Sequence, residues 1–88
     1  MVNNNVADNL RHIRILEEVR QGELAARLGI TNQMLCQIER GKKAAPPERL
    51  RQLAEFYGCT VEELSRDGYW LDRLRQQRLG SKQKGGNV

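Results

Sequence analysis

The side chains best equipped for chemistry in this 88-residue sequence are the amides of Asn32, Gln33 and Gln37, followed closely by Arg40, Lys42 and Lys43. An Asn or Gln amide offers a donor and an acceptor spaced to pair with N6 and N7 of adenine in a major groove. Nearby cations supply phosphate contacts, which place a protein on a duplex without reading its sequence. On a helical wheel at about 100° per residue, Leu35 and Ile38 share a face, with Met34 at its border. Asn32, Gln33, Cys36 and Gln37 fall on the opposite arc, with Cys36 between Asn32 and Gln33. The segment reads as a helix with an apolar back, an amide-bearing front and a cationic end. The bland alternative is an ordinary solvated surface helix.

A reading helix must be held at a fixed angle, and residues 20–42 (RQGELAARLGITNQMLCQIERGK) contain the holder. Leu24, Ala25 and Leu28 give a preceding helix over 21–28 its apolar face. Gly29 supplies the left-handed stop. Thr31 is a suitable N-cap for the next helix, its hydroxyl able to accept from the Met34 N–H. Ile30 with Leu35, and Val19 with Leu24, stand at the positions of hydrophobic staples. Two short helices joined so tightly form a helix-turn-helix.

The flanking segments also read as helices. Residues 6–18 carry Val6, Leu10 and Ile13 at helical spacing, with Arg14 on the same side. An arginine on an apolar face needs a partner, because an unpaired buried charge is costly. A fourth helix starts after Pro46 with Pro47 in its first turn, follows Leu50, Leu53, Ala54 and Tyr57, and stops at Gly58. Thr60 and Glu63 form a capping box for a short fifth helix from Val61, with Cys59 and Leu64 as its staple, which gives Cys59 a packing role. Residues 69–79 (YWLDRLRQQRL) have the composition of one more helix, whereas the Gly, Ser, Lys, Gln and Asn of 80–88 read as a disordered basic tail. The division is a flexible 1–5, a DNA-binding domain over 6–66, a helical extension over 67–79 and the tail over 80–88.

The ordered set of residues resembles the lambdoid phage repressor and Cro family of helix-turn-helix domains, also called the xenobiotic-response-element type. The match spans 9–64 and includes Leu10-Arg11, Ile13-Arg14, Gln21, Glu23-Leu24-Ala25 and Gly29. It continues through Ile38-Glu39-Arg40-Gly41-Lys42, Leu50, Leu53-Ala54, Gly58 and Glu63-Leu64. The resemblance implies an all-α, five-helix, repressor-like DNA-binding domain, here with a short additional C-terminal helix and a disordered tail. It also implies Glu39 as the partner of Arg14 in a buried structural ion pair; the alternative sends Arg14 to a phosphate. Three departures stand out. Arg20 replaces the usual Ser, Thr or Asn cap of the second helix, at a cost of about 1 kcal/mol. Gly22 adds a helix-propensity penalty of up to about 1 kcal/mol. Ala44, Ala45, Pro46 and Pro47 fill a loop where some relatives carry arginines near the minor groove.

Composition fits a small nucleic-acid-binding domain. A chain of this length buries only about 60% of its unfolded surface, so it benefits from idealised helices or a partner subunit. The formal charge of +4 is uneven: residues 1–65 hold nine basic and nine acidic side chains, and the excess lies in 66–88. Cys36 and Cys59 with the single His12 match no zinc spacing and suit a reducing cytoplasm. The polar start is not expected to act as a signal peptide, and no apolar stretch reaches membrane length.

These features predict a cytoplasmic, nucleoid-associated, sequence-specific regulator that binds double-stranded DNA as a homodimer on a palindromic operator. Thr31, Asn32, Gln33 and Gln37 would contact bases, and Gln21, Arg40, Lys42 and Lys43 phosphates, with Arg49 a further candidate. The alternative is a bridging, coactivator or antitoxin-type interaction module, with Tyr69, Trp70 and Leu71 meeting a protein partner. Trp70 either packs on its own core or sits in a dimer interface. His12 reads as a solvated residue without triad partners, so no catalytic residue, metal or cofactor is expected. Cys36 is either a small side chain suited to close approach or a redox-sensitive thiol.

Overall fold

The computed structural model describes the backbone of residues 4–87 and the side chains of residues 5–79; within them every regular element is a helix. They are α1 (Asn4–Leu16), α2 (Gln21–Leu28), α3 (Asn32–Glu39), α4 (Pro47–Tyr57), α5 (Val61–Leu64) and α6 (Tyr69–Asn87). None of them is long and apolar enough to cross a membrane.

Local chemistry sets most of the boundaries. Gly29 at φ 73° ends α2, and the Ile30 N–H reaches back to the Ala25 carbonyl at 3.0 Å. Gly58 at φ 69° ends α4 in the same way, with Cys59 N–H on the Ala54 carbonyl at 2.9 Å. A left-handed residue at that position costs little only for glycine. Thr31 caps α3 through its hydroxyl, which accepts from Met34 N at 3.0 Å. Both halves of the Thr60–Glu63 capping box form, each at 3.0 Å. Arg20 precedes α2 without any side-chain cap bond.

Helix α1 is displaced from the 6–18 span that its apolar pattern suggests. It starts at Asn4 and ends at Leu16, because Glu18 turns left-handed at φ 57°. That turn lets the Val19 N–H bond Arg14 O at 3.1 Å and carries Val19 onto the core. A non-glycine residue there costs roughly 1–2 kcal/mol, which the packing of Val19 offsets. At the other terminus, helical backbone runs past Leu79 to Asn87. No proline interrupts this stretch. Residues 1–3 of the expected flexible start, and the side chains of the expected disordered tail, lie outside the described residues.

The core sits between α1 and the α2–α5 layer. Leu10, Ile13, Leu24, Leu35, Ile38, Leu53 and Leu64 are each no more than 2% exposed. Val19, Ile30 and Cys59, the outer members of the three staples, pack around them. Burial pushes the Cys59 thiol pKa up, as expected for a packing role.

Asn9, wholly buried among these side chains, joins α6 to the rest. Its Nδ2 donates to the carbonyls of Leu64 at 2.8 Å and Arg66 at 2.7 Å, and its Oδ1 accepts from Trp70 N–H at 3.0 Å. One amide thus satisfies the exit of α5 and the entry of α6, whose terminal backbone groups lack helical partners. Trp70 lies over α1: its Nε1 donates to Asp8 Oδ2 at 3.1 Å, and its ring stacks on His12 at 4.1 Å. His12 is therefore not simply solvated. It is held between Asp8 and Trp70, with Nδ1 2.8 Å from the Asp8 carbonyl. Arg73 completes the seam by donating to Tyr57 O at 3.0 Å and Glu17 Oε2 at 2.9 Å. The α6 segment is thus a structural part of the domain, and Tyr69 and Trp70 face inward.

Removing the Asn9 amide should leave two carbonyls and one N–H without partners. Asn9→Ala should lower the unfolding free energy by about 2–4 kcal/mol, read by urea titration of Trp70 fluorescence. Asn9→Asp should also destabilise, since it retains the acceptor but loses both donors. A loss below about 1 kcal/mol for both variants would show that these bonds are dispensable.

Candidate nucleic-acid interface

Helix α3 has one buried and one open face. Leu35, Ile38 and Glu39 are buried; Asn32 and Gln33 are exposed, and Cys36 and Gln37, on the same side as these, are half-buried. The amides thus share the open side that the helical period assigns to them. The hydroxyl oxygen of Thr31 accepts the Met34 N–H, and the residue itself is exposed. At the far end, the N–H groups of Lys42 and Lys43 both donate to Gln37 O, at 2.9 and 3.3 Å. That turn fixes the start of the loop and leaves the side chains of Arg40, Lys42 and Lys43 exposed. Cations at a helix C-terminus are also stabilised by its dipole.

The orientation of α3 depends on Glu39. This carboxylate is 3% exposed and bonded at both oxygens. Oε2 accepts from Arg14 Nε at 2.8 Å, and Oε1 from Gln21 Nε2 at 3.1 Å. Arg14 Nη1 also donates to Val19 O at 3.0 Å, inside the α1–α2 turn. A buried carboxylate needs such partners, since the cost of desolvation is otherwise uncompensated. The network links the end of α3 to α1, to the turn after α1 and to the first residue of α2.

Gln21 has its amide turned inward in this arrangement, a contact that the sequence pattern does not reveal. One hydrogen of Nε2 is committed to Glu39, and the N–H groups of the first turn of α2 have no intrahelical partner. Arg49 is half-buried, bonded through Nη1 to Gln52 Oε1 at 3.0 Å, and borders an open cleft with Thr31, Met34 and Pro46. It thus stands beside the start of α3, whereas Arg40, Lys42 and Lys43 follow its end.

A tight α2–turn–α3 unit with a polar outer edge and a buried, ion-paired end is now defined by its own contacts, and the helix-turn-helix family model matches residues 10–64. The chain belongs to the Cro/C1-type helix-turn-helix family. It is 30% identical over 57 residues to a protein of Methanocaldococcus jannaschii described as an uncharacterized HTH-type transcriptional regulator, MJ0272, covering 65% of this chain and 86% of that one. No solved structure matches significantly. The family match spans 10–64, so Asn9, Arg66 and Trp70 of the Asn9–α6 junction lie outside it and Leu64 within. No motif signals that junction. The available hint is a polar Asn9 beside the apolar stripe of α1, followed far along the chain by an isolated tryptophan.

The helix-turn-helix geometry implies that Arg14 and Glu39 act as a unit. Arg14→Met should destabilise by about 3–5 kcal/mol, because it leaves a buried carboxylate without its cation. Adding Glu39→Met should restore much of that loss, since an apolar pair avoids desolvation. Urea titrations of the single and double variants would check this. If the double variant were as unstable as the single, the coupling between Arg14 and Glu39 would be absent.

Proposed function

We propose that this helix-turn-helix protein is a sequence-specific DNA-binding transcriptional regulator that acts as a homodimer on a two-fold-symmetric operator, associated with the nucleoid. The observation that carries this reading is the open side of α3, where exposed Asn32 and Gln33 and half-buried Gln37 precede exposed Arg40, Lys42 and Lys43. The relative in M. jannaschii, named as a transcriptional regulator, supports it.

In this reading α3 enters the major groove. Asn32, Gln33 and Gln37 pair with base edges, and the Thr31 methyl group meets a thymine or its hydroxyl donates to a phosphate. Gln21 takes the flanking phosphate through its second amide hydrogen and the N–H groups that open α2. Arg40, Lys42 and Lys43 hold the backbone beyond the far end of α3. Glu39, although anionic, is enclosed by Arg14 and Gln21 and does not face the DNA. Two recognition helices on one DNA face must lie about 34 Å apart, which calls for a two-fold pair of protomers.

Selection of bound sequences from random duplexes at a stated salt concentration tests the reading directly, with a palindromic consensus expected. Within that site, Gln33→Ala should cost about 1–3 kcal/mol and relax preference at one base pair per half-site. Lys42→Ala should instead weaken all sequences alike and flatten the salt dependence. Uniform losses from both variants would remove Gln33 from base reading.

Cys36 provides a steric check on the same face. With Cys59 replaced by Ala, alkylation of Cys36 should abolish specific binding and leave the thermal midpoint unchanged, and Cys36→Ser should bind normally. Alkylated protein that still bound its operator tightly would place this face outside the groove.

A further inference from the structure

Helix α6 packs one face against the domain and leaves the other uncovered. Tyr69, Trp70 and Arg73 engage the domain, with Arg73 holding Tyr57 and Glu17. The outer side carries Leu71, Leu74, Arg75, Arg78 and Leu79, which line a shallow trough of about 470 Å³. Their spacing of i, i+3, i+4, i+7 and i+8 is that of one helical stripe. Leu71 and Leu79 are 46% and 53% exposed. Two other large apolar side chains are exposed among the described residues. Phe56 is covered by the Arg27 guanidinium at 5.4 Å, and Ile15 lies on α1, the helix against which α6 packs.

The charges along this helix run in one direction. Asp67, just before it, and Asp72 in its first turn are acidic, whereas Arg75 and Arg78 follow. Asp72 pairs with Arg66, but Arg75 and Arg78 have no carboxylate partner among the described residues. Two copies of α6 laid parallel would bring like charges together. Laid antiparallel about the middle of the stripe, Asp72 of each helix comes opposite Arg78 of the other while the two Arg75 side chains flank the axis, and the helix dipoles also oppose favourably. The leucines then face leucines, and the apolar stems of Arg75 and Arg78 cover the seam.

We infer that the outer face of α6 is a two-fold interface, occupied by the same face of a second copy in antiparallel orientation. The inference rests on the dimeric reading above and names the surface that builds the dimer. It differs from a Trp70-centred interface, since Trp70 is engaged with Asp8, Asn9 and His12 of its own chain.

Sedimentation equilibrium of the full chain without DNA is the test. The wild type should associate to dimers, and Leu71→Lys/Leu79→Lys should raise the dimer dissociation constant by at least about tenfold. Arg75→Glu/Arg78→Glu should do the same, and mixing it with Asp67→Lys/Asp72→Lys should restore association as a heterodimer. Circular dichroism and Trp70 fluorescence should match wild type in every variant used. Fluorescence anisotropy separates this inference from the DNA reading: the Leu71→Lys/Leu79→Lys variant should keep its affinity for a single half-site and lose tight binding to the full operator. Dimers formed by a protein that binds no half-site would overturn the DNA reading alone. A wild type monomeric at every concentration, including one that instead binds phosphatidylserine vesicles or an acidic amphipathic peptide, would overturn the α6 interface. So would dimers indifferent to Leu71 and Leu79.

Discussion

A carboxylate placed out of water constrains the whole recognition unit. Glu39 ends α3 inside the protein, where it must be neutralised, and its two oxygens accept from Arg14 of α1 and Gln21 of α2. Ionic contacts at a protein surface contribute little to stability, but a buried charge that loses its partner is heavily penalised. The three helices are consequently not free to choose their relative angles independently. Side-chain packing alone would tolerate small rotations of α3 about its Leu35–Ile38 face. A bidentate acceptor with two donors from different helices does not. The amides on the opposite side of α3 inherit that orientation, so a contact facing away from the proposed groove governs the geometry of the one that would enter it.

Much of this was legible from the sequence, for a definite reason. Helices α2, α3, α4 and α5 are bounded by residues that act within one turn of themselves: Gly29, Thr31, Pro47, Gly58 and the Thr60–Glu63 pair. Such signals are local, and a single chain carries them completely. The α1–α2 turn was harder to place, because Glu18 adopts a left-handed conformation that its residue type does not advertise. The open and buried sides of α3 followed from helical periodicity. The inward turn of Gln21 did not, since its partner is eighteen positions away and an amide serves a carboxylate or a phosphate equally well.

The least legible part was the attachment of α6. Asn9 looks like a polar interruption of an amphipathic stripe, and His12 and Trp70 look like unrelated aromatic residues. Only the fold brings them within reach, across more than fifty positions. Hydrogen bonds from a buried amide to backbone carbonyls carry no compositional trace, because any residue can supply the carbonyl. The same holds for Arg73, whose donation to Tyr57 O and Glu17 depends on where α4 ends and where the turn after α1 begins.

The Asn9 junction also affects the order in which the molecule can assemble. Contacts between residues 8–9 and 64–70 close a loop spanning most of the domain, and loop-closure entropy makes such contacts late ones. The helix-turn-helix, built from neighbours in sequence, can form well before them. During synthesis, α1 would emerge first and wait with one flank uncovered until Trp70 leaves the ribosome. At a typical rate of about 5–20 residues per second, that interval is several seconds. Through it, the buried amide that finally secures the domain can be satisfied only by water.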